Sequence, residues 1–173
     1  MNLRKIIRMI IETQRLVLKP IVESDLNTLH EMFTNFYVRR YLCDGEILSL
    51  QQVEEMLVEN KRLFEEKKFG LWFIETKNDR EIIGFVGLWY FFEEAQPQLL
   101  YALLPKALKK GYATEASTKI LEYGLNELGL DYIVASCDRP NIESLKVAER
   151  LGMRQVEERI MNGNPILFFR IDK

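Results

Sequence analysis

Leu103-Leu104-Pro105-Lys106-Ala107-Leu108-Lys109-Lys110-Gly111-Tyr112-Ala113-Thr114-Glu115-Ala116 carries the chain out of an apolar strand, through a lysine-bearing loop and into a helix. Pro105 has no N–H to give a ladder, so the strand that begins at Leu99 ends at Leu104. From Tyr112 to about Leu128 the spacing predicts a helix, with Ala113, Ala116, Ile120, Leu121 and Gly124 on one side. Its first turn presents unpaired N–H groups and a partial positive charge. Gly111 lets backbone approach an anion closely, Ala113 keeps bulk away, and Lys109 and Lys110 add charge. Two readings fit these residues: a phosphate or pyrophosphate site, or an ordinary strand-to-helix connection with solvated lysines.

Outward from this stretch, β-formers and helical stripes alternate. Gln14 to Lys19 alternates polar and apolar and reads as a strand, which Pro20 stops. Ser24 offers an N-cap to a helix carrying Leu26, Leu29, Phe33 and Phe36. Ser49 opens a longer helix striped by Leu50, Val53, Met56, Leu57, Leu63 and Phe64. Leu71–Ile74 and Ile82–Trp89 form an antiparallel pair across the polar turn Lys77-Asn78-Asp79-Arg80. Tyr132–Ala135 is a further strand, Asn141–Leu151 a helix closed by Gly152, and Arg154–Ile160 with Ile166–Ile171 a closing pair across Asn162-Gly163-Asn164. The order is β-α-α-β-β-β-α-β-α-β-β. The strand-helix-strand unit near residues 99–136 requires one parallel pair in an otherwise mixed sheet. Residues 1–173 read as one domain without linker or repeat.

Composition removes several function classes. The net charge of −2 lacks the basic excess of a nucleic-acid binder. No apolar run is long enough to span a bilayer. The opening MNLRKIIRMII is interrupted by Arg8 and lacks a small-residue cleavage site, so the expected compartment is the cytoplasm. Two cysteines without a CxxC pair, and one histidine, leave no metal site to expect.

Four pieces of sequence resemble, in order, the motifs of the GNAT superfamily of N-acetyltransferases, in the branch that contains the ribosomal-protein N-terminal acetyltransferases. Gly111-Tyr112-Ala113-Thr114-Glu115-Ala116 resembles the G-Y-A-T-E-A run, part of the R/Q-x-x-G-x-G/A motif that binds the coenzyme A pyrophosphate in that family. Glu12-Thr13-Gln14-Arg15-Leu16-Val17-Leu18 resembles its opening E-T-E-R-L-x-L strand, and Ile83-Gly84-Phe85-Val86-Gly87-Leu88 its I-G-x-x-G-L strand. Asn141-Ile142-Glu143-Ser144 with Leu151-Gly152-Met153 resembles its N-x-x-S…L-G-F/M helix. The likeness covers the chain from about Ile10; whether Met1 or Met9 is the natural start stays open. Leu108 departs from the motif's Arg or Gln, Lys109 from a usual Gly, Gln98 from a frequent glutamate and Ala148 from a tyrosine that protonates the thiolate. The change at Lys109 predicts a tighter or differently shaped pyrophosphate loop.

The resemblance implies an α/β (α+β) GNAT fold: a mixed, mostly antiparallel sheet of about six to seven strands flanked by helices, with a parallel splayed pair forming the coenzyme A cleft. It implies transfer of the acetyl group of acetyl-coenzyme A to a primary amine, at a protein N-terminus or on a small molecule, by direct attack in a ternary complex without metal. The alternative is a non-catalytic coenzyme-A-binding module, which the changes at Gln98 and Ala148 would suit. Leu103, Leu104, Lys109, Lys110, Gly111, Tyr112, Ala113, Thr114, Asn141 and Ser144 are then expected at the coenzyme, with a backbone N–H near Leu103 as oxyanion donor. Ser144, Asn141 and Tyr101 are expected at the reacting atoms, Ser144 passing a proton to the sulfur. Taken without the family, Asn141 and Ser144 read equally as a helix cap, and Tyr101 as an interior aromatic. For the base, Glu93, Glu94 and Tyr101 are candidates. His30 and Cys137 read as packing residues, and Trp72, Trp89, Phe91 and Phe92 as core before pocket. Monomer and homodimer both remain open.

Overall fold

The computed structural model describes residues 9–92 and 95–173. The chain runs β1 (Ile11–Glu12), β2 (Leu16–Pro20), α1 (Leu26–Thr34), α2 (Phe36–Arg39), α3 (Leu50–Glu66), β3 (Leu71–Thr76), β4 (Ile82–Trp89), β5 (Gln98–Leu103), α4 (Tyr112–Glu122), β6 (Tyr132–Asp138), α5 (Ile142–Arg150), β7 (Arg154–Met161) and β8 (Asn164–Asp172). The strands form one eight-stranded sheet in the order β1-β2-β3-β4-β5-β6-β8-β7. Every pairing is antiparallel except β5 with β6, the two strands joined through α4. The eighth strand is the two-residue β1, too short to leave a periodic signal of its own.

The period of two along the strands sorts the core onto two faces. Trp72, Ile74, Val86, Leu99 and Leu103 point to one cluster, where they meet Ala116 and Ile120 of α4 and Ile133 of β6. Leu71, Phe73, Phe85 and Ala102 point to the other, against Leu29 and Phe33 of α1 and Val53 and Leu57 of α3. In β4, a Cβ on Gly84 would lie 2.1 Å from the Ala102 carbonyl oxygen, so no larger residue fits beside β5 there.

Local details depart from the sequence reading in four places. Ser24 is not a cap: a short 3₁₀ turn, Glu23–Asp25, precedes α1, and the Asp25 carboxylate accepts the Val22 N–H at 2.9 Å. Phe36 leaves the α1 stripe and stands 70% exposed, because Asn35 ends α1 and caps α2, its Oδ1 accepting the Tyr37 N–H at 3.0 Å. Pro20 lies inside β2, opposite Trp72, at the strand's last position. The helix after Gly111 widens at Tyr123–Glu127 into an i→i+5 turn, with the Leu128 N–H donating to the Tyr123 carbonyl at 3.0 Å. Ser49 caps α3 as expected, in a reciprocal box with Gln52.

Candidate active site

β5 and β6 pair at a single position, Gln98 opposite Val134, and then part. Gln98 is 1% exposed and ties this junction together: Ser136 Oγ donates to its Oε1 at 2.9 Å. Its side chain is thus committed to holding two strands together. On the other side of β5 the ladder to β4 continues, and the Leu104 N–H donates to the Ile83 carbonyl at 2.8 Å. Peptides alternate direction along an antiparallel strand, so the N–H groups of Tyr101 and Leu103 face away from β4, into the gap that β6 has vacated. A cavity of about 430 Å³ fills this gap.

One end of the cavity is the loop into α4. A 3₁₀ turn, Pro105–Ala107, follows β5; then Lys109 (φ 59°) and Gly111 (φ 79°) both take the left-handed conformation. Lys109 therefore keeps the backbone shape a glycine would take, at a cost of about 1–2 kcal/mol for a residue with a Cβ. The first helical bond runs from the Glu115 N–H to the Gly111 carbonyl (3.0 Å), leaving the N–H groups of Tyr112, Ala113 and Thr114 ahead of it.

A polar clamp holds this loop against β2. The Glu115 carboxylate accepts from Thr13 Oγ1 (2.7 Å), the Arg15 N–H (2.8 Å) and Arg15 Nε (2.6 Å). Arg15 Nη1 donates to the Lys110 carbonyl (2.9 Å), and the guanidinium lies over the Tyr112 ring, 4.5 Å from its centroid. Burial pushes the Glu115 carboxyl up, but the bonds from Thr13 and Arg15 together outweigh it and hold it below the ordinary range. The stretches around Arg15 and Glu115, far apart in sequence, are one structural unit.

At the middle of the cavity stand Tyr101, Cys137 and Ser144. Asn141 caps α5, its Oδ1 accepting the Ser144 N–H at 3.2 Å, and this leaves the Ser144 hydroxyl free to face Tyr101. Burial pushes the Tyr101 phenol up to about 12, a hydrogen bond with Ser144 pulling the other way. Burial likewise pushes the Cys137 thiol up to about 12, which leaves it a poor nucleophile at neutral pH. Cys137 packs against the main core as its sequence suggested, but it is only half-buried and also lines the cavity.

The far end is a mouth that sequence reasoning missed. Tyr37 and Tyr41, in and just after α2, reach the start of α5: Tyr37 Oη donates to the Glu143 carboxylate and Tyr41 Oη to the Pro140 carbonyl at 3.4 Å. Burial and the Glu143 carboxylate push the Tyr37 phenol up to about 12. Asn35 signals the new helix, yet nothing in the sequence says that Tyr37 lies beside a residue 106 positions away.

Of the residues expected at the site, Leu103, Lys109, Gly111, Tyr112, Ala113, Thr114, Asn141, Ser144 and Tyr101 line the cavity. Leu104 and Lys110 do not; the first bonds to β4 and the second lends its carbonyl to Arg15. Ala148 lines it and is buried, and Glu93 and Glu94 lie outside the described residues. His30 packs against the chain, its Nε2 3.0 Å from the Leu48 carbonyl. Trp72 is core, while Phe92 is exposed.

Known proteins share this architecture. Residues 15–154 match the acetyltransferase (GNAT) domain family. The uncharacterized N-acetyltransferase YoaA of Bacillus subtilis (strain 168) is 29% identical over 147 residues, covering 84% of this chain and 83% of that protein. An acetyltransferase of the GNAT family from Bacillus anthracis superposes with a TM-score of 0.77 at 22% identity, covering 94% of this chain and 98% of that one. The ribosomal L7/L12 α-N-protein acetyltransferase RimL, solved with coenzyme A, superposes with a TM-score of 0.79 at 17% identity, covering 94% and 97%. The splayed β5–β6 pair, the loop into α4 and a match over most of the chain lead to one conclusion: the protein belongs to the GNAT acetyltransferase family and is an acetyl-coenzyme-A-dependent acetyltransferase.

Proposed function

We propose that this enzyme acetylates a primary amine, at a protein N-terminus or on a small molecule, by direct attack on the thioester while both substrates are bound. The observation that carries this reading is the cavity between β5 and β6, which runs from the N–H groups of α4 past Tyr101 and Ser144 to a mouth at Tyr37. The donor set suits the coenzyme: an uncapped helix N-terminus with Lys109 beside it for the phosphates, and unused strand N–H groups for the pantetheine amides. When bound, acetyl-coenzyme A supplies the activated acyl group. Family membership supports the chemistry in general.

Each residue then has a task. Tyr112, Ala113 and Thr114 turn their backbone donors to the pyrophosphate, and Lys109 adds charge. The Leu103 N–H, turned from β4, receives the negative charge that develops on the acetyl oxygen. The amine nitrogen forms the new C–N bond as the C–S bond breaks, and the proton lost by nitrogen balances the one gained by sulfur. Tyr101, protonated with a pKa near 12, and Ser144 beside it donate toward that sulfur as a hydrogen-bonded pair. Tyr101 is thereby a donor at neutral pH and no base. Asn141 holds Ser144 in place. Cys43 and Cys137, both in the thiol form, suit a cytoplasmic enzyme.

Calorimetric titration with acetyl-coenzyme A, with ATP and NAD as controls, tests the first half. Micromolar binding of the acyl donor alone, about −8 kcal/mol, supports it. Thiol release above hydrolysis on an amine panel tests the second. Binding without any turnover would leave a coenzyme-binding module in place of a catalyst.

A further inference from the structure

The loop into α4 carries Leu108 at its head, and Leu108 packs against the main core. It brings no charge to the phosphate end. Beyond Lys109, charge comes from another element. Arg150, in the last turn of α5, lines the cavity and also a shallower recess beside it, whose other walls are Lys109, Gly111, Thr114 and Glu115. Lys146, four residues earlier on α5, lines the same cavity.

These cations are uncompensated. Among the described residues, Lys109, Lys146 and Arg150 make no ion pair or hydrogen bond, although most other arginines are paired with a carboxylate. Lys146 and Arg150 are like charges at i,i+4 on one helix, an arrangement that is unfavourable by itself. The acidic residues nearby are already engaged: Glu115 is neutralised by Arg15, and Glu143 accepts from Tyr37. Lys109 and Arg150, from two elements, thus meet at a glycine-bearing helix N-terminus where the one carboxylate, Glu115, is already paired with Arg15, and Lys146 adds a third cation to the same cavity. A C-terminal arginine on α5 also complements that helix's dipole, but the dipole does not require Arg150 to line the recess at Gly111.

We infer that Arg150, assisted by Lys146, is a phosphate-binding residue for the coenzyme and supplies from α5 the side-chain charge that Leu108 leaves out of the loop. This rests on the coenzyme reading above. The ligand chemistry is a phosphate ester or anhydride, and coenzyme A offers two: the pyrophosphate and the 3′-phosphate.

The test is calorimetric titration of the full chain with coenzyme A, 3′-dephospho-coenzyme A and S-acetylpantetheine, the last carrying no phosphate. Arg150→Gln is expected to weaken coenzyme A about tenfold and to leave S-acetylpantetheine unchanged, with an unaltered thermal melt. Leu108→Arg added to Arg150→Gln is expected to recover most of the loss, since Leu108 lines the same cavity as Arg150 and the change returns a cation to it. An equal loss for the dephospho form assigns Arg150 to the pyrophosphate; a loss confined to coenzyme A assigns it to the 3′-phosphate. Wild-type affinity in Arg150→Gln, or an equal loss for S-acetylpantetheine, overturns the inference. Failure of the wild type to bind coenzyme A would instead sink the coenzyme reading itself.

Discussion

At the α4 end the cavity is walled mainly by the loop residues Leu108, Lys109 and Gly111 to Thr114, with Arg150 beside them, whereas its mouth is assembled from Tyr37 and Tyr41 on one side and Glu143 on the other. The first region works through backbone: two left-handed residues, a helix start and free N–H groups. The second works through side chains that meet only because α2 folds over the start of α5. A backbone site tolerates change in side chains, as Lys109 shows by keeping the shape of a glycine. It tolerates little change in conformation. A side-chain site has the opposite character.

The largest expected effect breaks the backbone site. Gly111→Glu forces a Cβ into a left-handed position, costing about 1–2 kcal/mol, and sets a carboxylate against the pyrophosphate. Acetyl-coenzyme A affinity is expected to fall on the order of 100-fold by calorimetry. Wild-type affinity in a folded variant would place the coenzyme elsewhere. Next, Ser144→Ala is expected to lower kcat about 10- to 100-fold with KM for acetyl-coenzyme A nearly constant. Tyr101→Phe on that background should add little, because the two hydroxyls form one unit; a full additive loss would separate their roles.

A smaller effect reads the clamp that anchors the loop. Glu115→Gln should raise KM for acetyl-coenzyme A about tenfold, through loop position and without a change in kcat. It should also alter the dependence of stability on pH. The Glu115 carboxyl titrates below its ordinary value of 4.5 in the folded chain, so its stabilising contribution is complete above that value and disappears as pH falls through the folded pKa. The gap in Tm between wild type and variant is therefore widest near neutrality (about pH 7) and closes below pH 4.5. A gap independent of pH would assign the effect to packing.

The smallest expected effect sharpens the contrast from the other end. Tyr37→Phe releases Glu143 at the mouth and should change KM for the amine about threefold, leaving acetyl-coenzyme A affinity untouched. A shift in both would mean the two ends are coupled through α5.

Much of the fold was legible because its signals are local. The β-formers of Leu71–Ile74 and Ile82–Trp89, the helix start at Ser49 and the strand end at Pro105 each depend on residues a few positions apart. Capping by Asn141 was legible for the same reason. Ser24 and Phe36 misled because two weak local signals competed, and tertiary packing chose the turn at Asp25 and the new start at Asn35. The sequence by itself determined the order of the longer strands and helices, the parallel pair around α4 and the helix start after Gly111. Only the tertiary structure decided that Gln98 ties the parting strands, that Arg15 and Glu115 clamp the loop, that Arg150 faces Lys109, and that Tyr37 meets Glu143. Each of these joins residues of different elements. Periodicity and spacing report which face of an element a residue occupies, but carry no information on what that face meets.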